Sequence, residues 1–144
     1  LLHTIRGNIS WDPPTAQSMV VQLADLLRRL LTAGEREWSR LADEMQFVQL
    51  YLELQQKRFS DRLTIELPPA GSLPAVWVPS LILQPLVENA VVHGLAGHDG
   101  PVKIRVAVEM VDDGASGMIR IGVANDVAPG RATGREGIGL RNVR

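Results

Sequence analysis

Leu81 to Leu95, LILQPLVENAVVHGL, constrains the fold more than any other stretch of the chain. Leu83, Leu86, Val87, Ala90, Val91 and Leu95 recur at threes and fours, which predicts a buried helix. Polar Gln84, Glu88, Asn89 and His93 interrupt the pattern. Asn89 and His93 are four apart and share one face, while Glu88 points about 100° away from Asn89. An unpaired amide among Leu and Val costs roughly 1–3 kcal/mol, so such a cluster faces either a structural hydrogen-bond network or a ligand. The helix by itself leaves both open. Pro85, in the second turn if Ser80 is the cap, should leave one carbonyl unpaired and bend the helix.

A second stretch tips the balance. Gly134-Arg135-Glu136-Gly137-Ile138-Gly139-Leu140 runs into an apparent helix start, Leu140 to Arg144. A glycine-rich turn entering a helix presents free N–H groups and a positive dipole end, which suits phosphate. The glycines alone are weak evidence. Together with QPLVENAVVHG, they resemble the G2 and N boxes of the GHKL (Bergerat) ATP-binding fold. More narrowly, LQPLVENAVVHG resembles sensor histidine kinases of the LytS type.

With 144 residues, 45% of them hydrophobic, the chain can bury one core and a small helical appendage. A formal net charge of −1 argues against a general nucleic-acid surface. The absence of Cys excludes disulfides, thiolate catalysis and Cys-ligated metal. No apolar run approaches the ~20 residues that span a bilayer, so no membrane insertion is expected of this chain. It begins without Met and stops inside an apparent helix, and is read as a piece of a longer protein.

Leu1 to Ile9 is read as the end of a helix, and Trp11-Asp12-Pro13-Pro14 as the break after it. Asp12 is an N-cap candidate with Pro13 at the first helical position. That helix should run to about Thr32 and stop at Gly34, with Met19, Val20, Leu23, Leu26, Leu27 and Leu30 as its apolar face and Arg28 and Arg29 solvated. A further helix, capped at Ser39, should reach about Phe59. Its seam is Leu41, Met45, Val48, Tyr51, Leu52 and Gln55, flanked by Phe47, Leu50 and Leu54. Helices this apolar need a third layer, either a second copy of themselves or the chain's own sheet.

Arg62 to Leu67 alternates with a period of two and reads as a strand. Val102, Ile104, Val106, Val108 and Met110 alternate with Lys103, Arg105, Ala107 and Glu109 in another. A hairpin loop over Asp112 to Gly117 leads to a partner strand with Ile119, Ile121 and Val123 on the core face. By the same parity Asn125 points inward and Asp126 outward. Val127 to Arg135, rich in Gly, Pro, Ala and Thr, reads as a mobile lid or as an ordinary surface loop.

The resemblance implies an α+β fold of the GHKL type, a mixed sheet covered by helices on one face, preceded by two helices. Residues 1–60 would be a dimerisation and phosphotransfer-type segment, and 61–144 an ATP-binding catalytic domain lacking its last strands. It implies ATP and Mg²⁺ as ligands, with Asn89 holding Mg²⁺ through its side-chain oxygen and Glu88 orienting a metal-bound water. His93 would contact phosphate or brace the lid, unless it is simply a helix-end histidine. Arg131 and Arg135 would meet phosphate charge, and Gly137, Ile138, Gly139 and Leu140 would let the backbone approach the phosphates. In the family an Asp within D-x-G-x-G reads the adenine amino group. Here the text is Asn125-Asp126-Val127-Ala128-Pro129-Gly130; Asn125 has the right parity and Asp126 the expected charge, and Asn125 is preferred.

Hydrolysing relatives such as gyrase, MutL and the heat-shock chaperones place a Glu one turn before the metal Asn, where this chain has Pro85. The resemblance therefore favours a protein-histidine kinase passing phosphate to a response regulator. Leu2-His3-Thr4-Ile5 resembles the phrase that follows the acceptor His, so the acceptor is expected upstream of Leu1 and His3 is not it; this chain should be unable to autophosphorylate at the family's site. A homodimer through the N-terminal helices and a cytoplasmic position in a membrane-bound sensor are implied. The alternatives are a nucleotide-independent dimerisation module and a hydrolysing GHKL ATPase.

Overall fold

The structure, a computed structural model, describes residues 1–59, 62–96, 100–112 and 117–125. Helix α1 (Leu2–Trp11) is followed by α2 (Pro13–Gly34), a three-residue strand β1 (Trp38–Arg40) and α3 (Leu41–Phe59). Then come β2 (Leu63–Glu66), a 3₁₀ turn at Ala70–Ser72, β3 (Trp77–Pro79), α4 (Leu83–Leu95), β4 (Val102–Asp112) and β5 (Gly117–Asn125). The α1–α2 break forms as its residues dictate. The Asp12 carboxylate accepts from the Thr15 N–H at 3.2 Å, and Pro13 stands at the helix start, where a missing N–H costs little.

One sheet runs in the order β2-β4-β5, with β2 parallel to β4 and β4 antiparallel to β5. A parallel pair needs a crossover, and the link from β2 to β4 contains α4. On the covered face Leu63, Val102, Ile104 and Val106 are buried against Leu83, Val87 and Val91 of α4 and Leu41, Val48 and Leu52 of α3. Each such Leu or Val contributes about 1.5–3 kcal/mol by leaving water. The opposite face is polar. There Glu66 pairs with Lys103 at 2.6 Å and Arg105 at 3.0 Å, and those donors hold its carboxyl below the usual carboxylate range.

α3 is buried on two sides. Leu41, Met45, Val48 and Leu52 join the sheet core, whereas Phe47 and Leu54 join Ile5, Met19 and Leu26 in a second core formed with α1 and α2. The third layer that this helix required is thus supplied within the chain by α4 and the sheet.

Several local expectations are corrected. Ser39 does not cap α3: it lies in β1, opposite Val78 of β3, and its hydroxyl meets that of Ser80 at 2.6 Å. Ser80 is thereby engaged and does not cap α4, which begins at Leu83. Pro85 consequently falls in the first turn, whose N–H groups have no intrahelical acceptor, and the predicted loss of a hydrogen bond does not arise. Val20 and Leu27 of α2 are 51% and 53% exposed, because α3 and α1 cover only the Met19 and Leu26 side of that helix. Met110, expected in the core, is 59% exposed. The 11 residues of β4 reach ~36 Å, and the 13 of α4 only ~20 Å, so the hairpin end of the sheet projects beyond its cover.

Candidate functional site on helix α4

The four polar residues of α4 divide into two pairs. Gln84 Nε2 donates to Glu88 Oε1 at 2.8 Å, which pairs the two within the helix. Glu88 is half-buried, and its charge, second to burial, helps push the pKa of Tyr51 of α3 up to about 12. Asn89 and His93 are exposed, and among the described residues neither side chain has a hydrogen-bond or ion-pair partner. Their neighbours Val87, Ala90, Val91 and Gly94 are buried, so the helix anchors itself through one face and presents the amide and the imidazole on another.

Gly94 brings the end of β5 to this helix. A Cβ built there would lie 2.8 Å from Val102 Cγ1, 3.2 Å from Asn125 Nδ2 and 3.4 Å from Asn125 Cβ. Only a residue without a side chain permits that approach. Asn125, half-buried and opposite Ile104 in the β4–β5 register, shares the inward parity of Ile119, Ile121 and Val123, which pack on the core. The structure therefore brings Asn125 beside the residue that follows His93. Gly94 was not singled out by sequence reasoning; its place at the end of the ENAVVHG phrase was the available signal.

Asp126, Arg131, Arg135, Gly137, Ile138, Gly139 and Leu140 lie outside the described residues, as does the segment read as a lid. Among the described residues no group of three His, Asp or Glu side chains could hold a metal ion. Asn89 offers a hard, uncommitted side-chain oxygen, which fits Mg²⁺ carried largely by phosphate and water with few protein ligands. Two shallow grooves lie elsewhere, one between α2 and α3 lined by Val20, Ala24 and Leu50, the other beside Gln49, Glu53 and Ile65. Neither is lined by Glu88, Asn89, His93 or Asn125. No described helix is long and apolar enough to cross a membrane.

Residues 1–63 match the family described as histidine kinase. The chain is 31% identical over 107 residues to the sensor histidine kinase YpdA of Escherichia coli, covering 74% of this chain and 19% of that protein. It is 35% identical over 92 residues to the sensor protein LytS of Staphylococcus haemolyticus, covering 64% and 16%. With the sensor histidine kinase BtsS of Escherichia coli the identity is 36% over 93 residues, covering 65% and 16%. The chain thus spans less than a fifth of the length of these relatives. The family match over residues 1–63, these similarities and the helices packed on a mixed sheet identify the chain as similar to a part of the sensor histidine kinases of the LytS type.

Proposed function

We propose that this chain is the ATP-binding part of a sensor histidine kinase, donating the γ-phosphoryl group of ATP to a histidine of the parent protein and thence to a response regulator. The observation that carries the reading is the division on α4. Gln84 and Glu88 are hydrogen-bonded to each other, whereas Asn89 and His93 stand exposed and uncommitted among the described residues on a helix otherwise fixed in the core. Residues 61–144 would bind the nucleotide and residues 1–60 would serve dimerisation and phosphotransfer, on the cytoplasmic side of the membrane.

Asn89 would hold Mg²⁺ by its amide oxygen, and the ion would supply neutralisation of charge on the phosphates. Glu88, restrained by Gln84, would orient a water toward that position, and His93 would reach phosphate or the segment after β5. Asn125 has an amide oxygen able to accept from an exocyclic amino group, the group that distinguishes adenine from guanine at that edge. Asp126, Arg131, Arg135 and the Gly137-Ile138-Gly139-Leu140 turn remain the proposed source of the other nucleotide contacts. Pro85, one turn before Asn89, brings no acid or base to activate water, which favours transfer to a protein group over hydrolysis.

The test of the adenine assignment is titration of ATP and GTP, each with Mg²⁺, into the chain and into Asn125→Ala. Selectivity for ATP that narrows in the variant is expected. Undiminished selectivity in the variant would remove Asn125 from the site.

A further inference from the structure

α4 has no side-chain cap, its N-cap position being Ile82. What fixes its approach belongs to α3. Glu44, in the first turn of α3, is only 5% exposed, and its Oε1 accepts the backbone N–H of Leu81 at 2.9 Å. Leu81 has φ of 61°, the one positive value at a non-glycine among the described residues. Side chains with a Cβ avoid that region, and it persists only where the surroundings enforce it.

The surroundings come from the same short segment. Ser80 N–H donates to Glu37 O at 2.9 Å, Leu41 N–H donates to Val76 O at 3.0 Å, and the Ser39 and Ser80 hydroxyls meet at 2.6 Å. These bonds hold the chain up to Ser80; the Glu44 bond acts on the strained residue itself, two positions before α4 begins. An acidic group at the start of α3 is favoured by the helix dipole, but the dipole acts on an exposed carboxylate too and does not explain burial against Leu81. Tyr51, seven residues after Glu44 and therefore on the same side of α3, is near enough to Glu88, further along α4, for that charge to raise its pKa, second to burial. α3 thus holds the approach to α4 through a polar group at its start and shares an electrostatic influence with α4 beside the site.

We propose that Glu44 is a positioning residue for the nucleotide site. Its carboxylate holds Leu81 in the left-handed conformation and so sets where α4 starts and the rotation at which Asn89 is presented. Because α3 also packs on α1 and α2, a movement of the helical segment reaches Asn89 through this bond. The consequence for nucleotide rests on the reading of α4 as a nucleotide site; the consequence for the start of α4 does not.

Amide hydrogen exchange and Mg-ATP titration of the full 144-residue chain test both parts. Glu44→Ala is expected to lose protection at Leu81, Val87 and Glu88 and to bind Mg-ATP roughly tenfold more weakly. Glu44→Met, which keeps the volume without the acceptor, carries the same test if the smaller side chain prevents folding. Adding Leu81→Gly should restore most of the affinity, since glycine adopts this φ without strain. Val48→Ala, a buried change on the same helix, should lower stability without altering affinity. Unchanged exchange at Leu81 in Glu44→Ala, unchanged affinity, or failure of Leu81→Gly to restore it overturns the proposal. If the unaltered chain does not bind Mg-ATP, the nucleotide reading falls, and the exchange at Leu81, Val87 and Glu88 still decides whether Glu44 sets the start of α4.

Discussion

Gly94 of α4 lies against Asn125 of β5 so closely that a methyl group on Gly94 would stand 3.2 Å from the Asn125 amide nitrogen and 2.8 Å from Val102 Cγ1. Val102 is buried in a strand and β-branched, so it has little freedom to yield. Two effects oppose each other in Gly94→Ala. Helix propensity favours alanine by about 1 kcal/mol, and overpacking costs about 1–3 kcal/mol. The clash should win, with a net destabilisation of up to about 2 kcal/mol in denaturant unfolding. Because α4 must lift from β5, nucleotide affinity should fall as well. A variant as stable as the parent would show that the approach is looser than the structure has it.

Tyr51 is the chain's one tyrosine, so the phenolate absorbance reports on it alone. Burial and the Glu88 charge raise its pKa from 10.0 to about 12. In the folded chain the proton is therefore retained where the unfolded chain has released it. The stability this contributes is complete below the unfolded value and is lost as pH climbs from 10.0 toward 12. An absorbance titration should show a late transition, and Glu88→Gln should bring it earlier without returning it to normal, since burial is the larger cause. A Glu88→Gln titration superimposable on the parent would remove the Glu88 charge as a cause of the shift.

Val20, Leu27 and Leu31 leave 51%, 53% and 72% of their surface exposed on α2, at heptad-like spacing with Ala24 between them. This stripe supports the proposed homodimer. Leu27→Glu and Leu31→Glu together should disperse the dimer in sedimentation equilibrium, and each should change unfolding of the monomer by no more than about 0.5 kcal/mol. Association that survives both substitutions would place the contact elsewhere.

What could be read from the sequence followed from local chemistry. Asp12 before Pro13, the stop at Gly34 and the alternation of Val102, Ile104 and Val106 each carry their own signal within a few residues, and each appears in the structure. β1 carried none: three residues show no period, and Trp38–Arg40 is a strand only because Trp77–Pro79 pairs with it. Ser39 and Ser80 resembled helix caps for the same reason that they bond each other, a small hydroxyl before an apolar run. Glu44 is one of two acids in the first turn of α3, and its partner, a backbone N–H 37 residues away, leaves no trace in sequence. On α4, spacing placed Asn89 and His93 on one face, and the structure added that Gln84 withdraws Glu88 from solvent demands while leaving those two free among the described residues.

The exposed face of α4 is proposed to hold Mg-ATP through Asn89. Calorimetric titration of Mg-ATP into this chain and into Asn89→Ala, which alters an exposed side chain and should leave unfolding unchanged, tests it most directly. Binding by the parent that is lost in the variant is the predicted result. Equal binding by both, or none by a folded parent and by its full-length counterpart, would contradict the account.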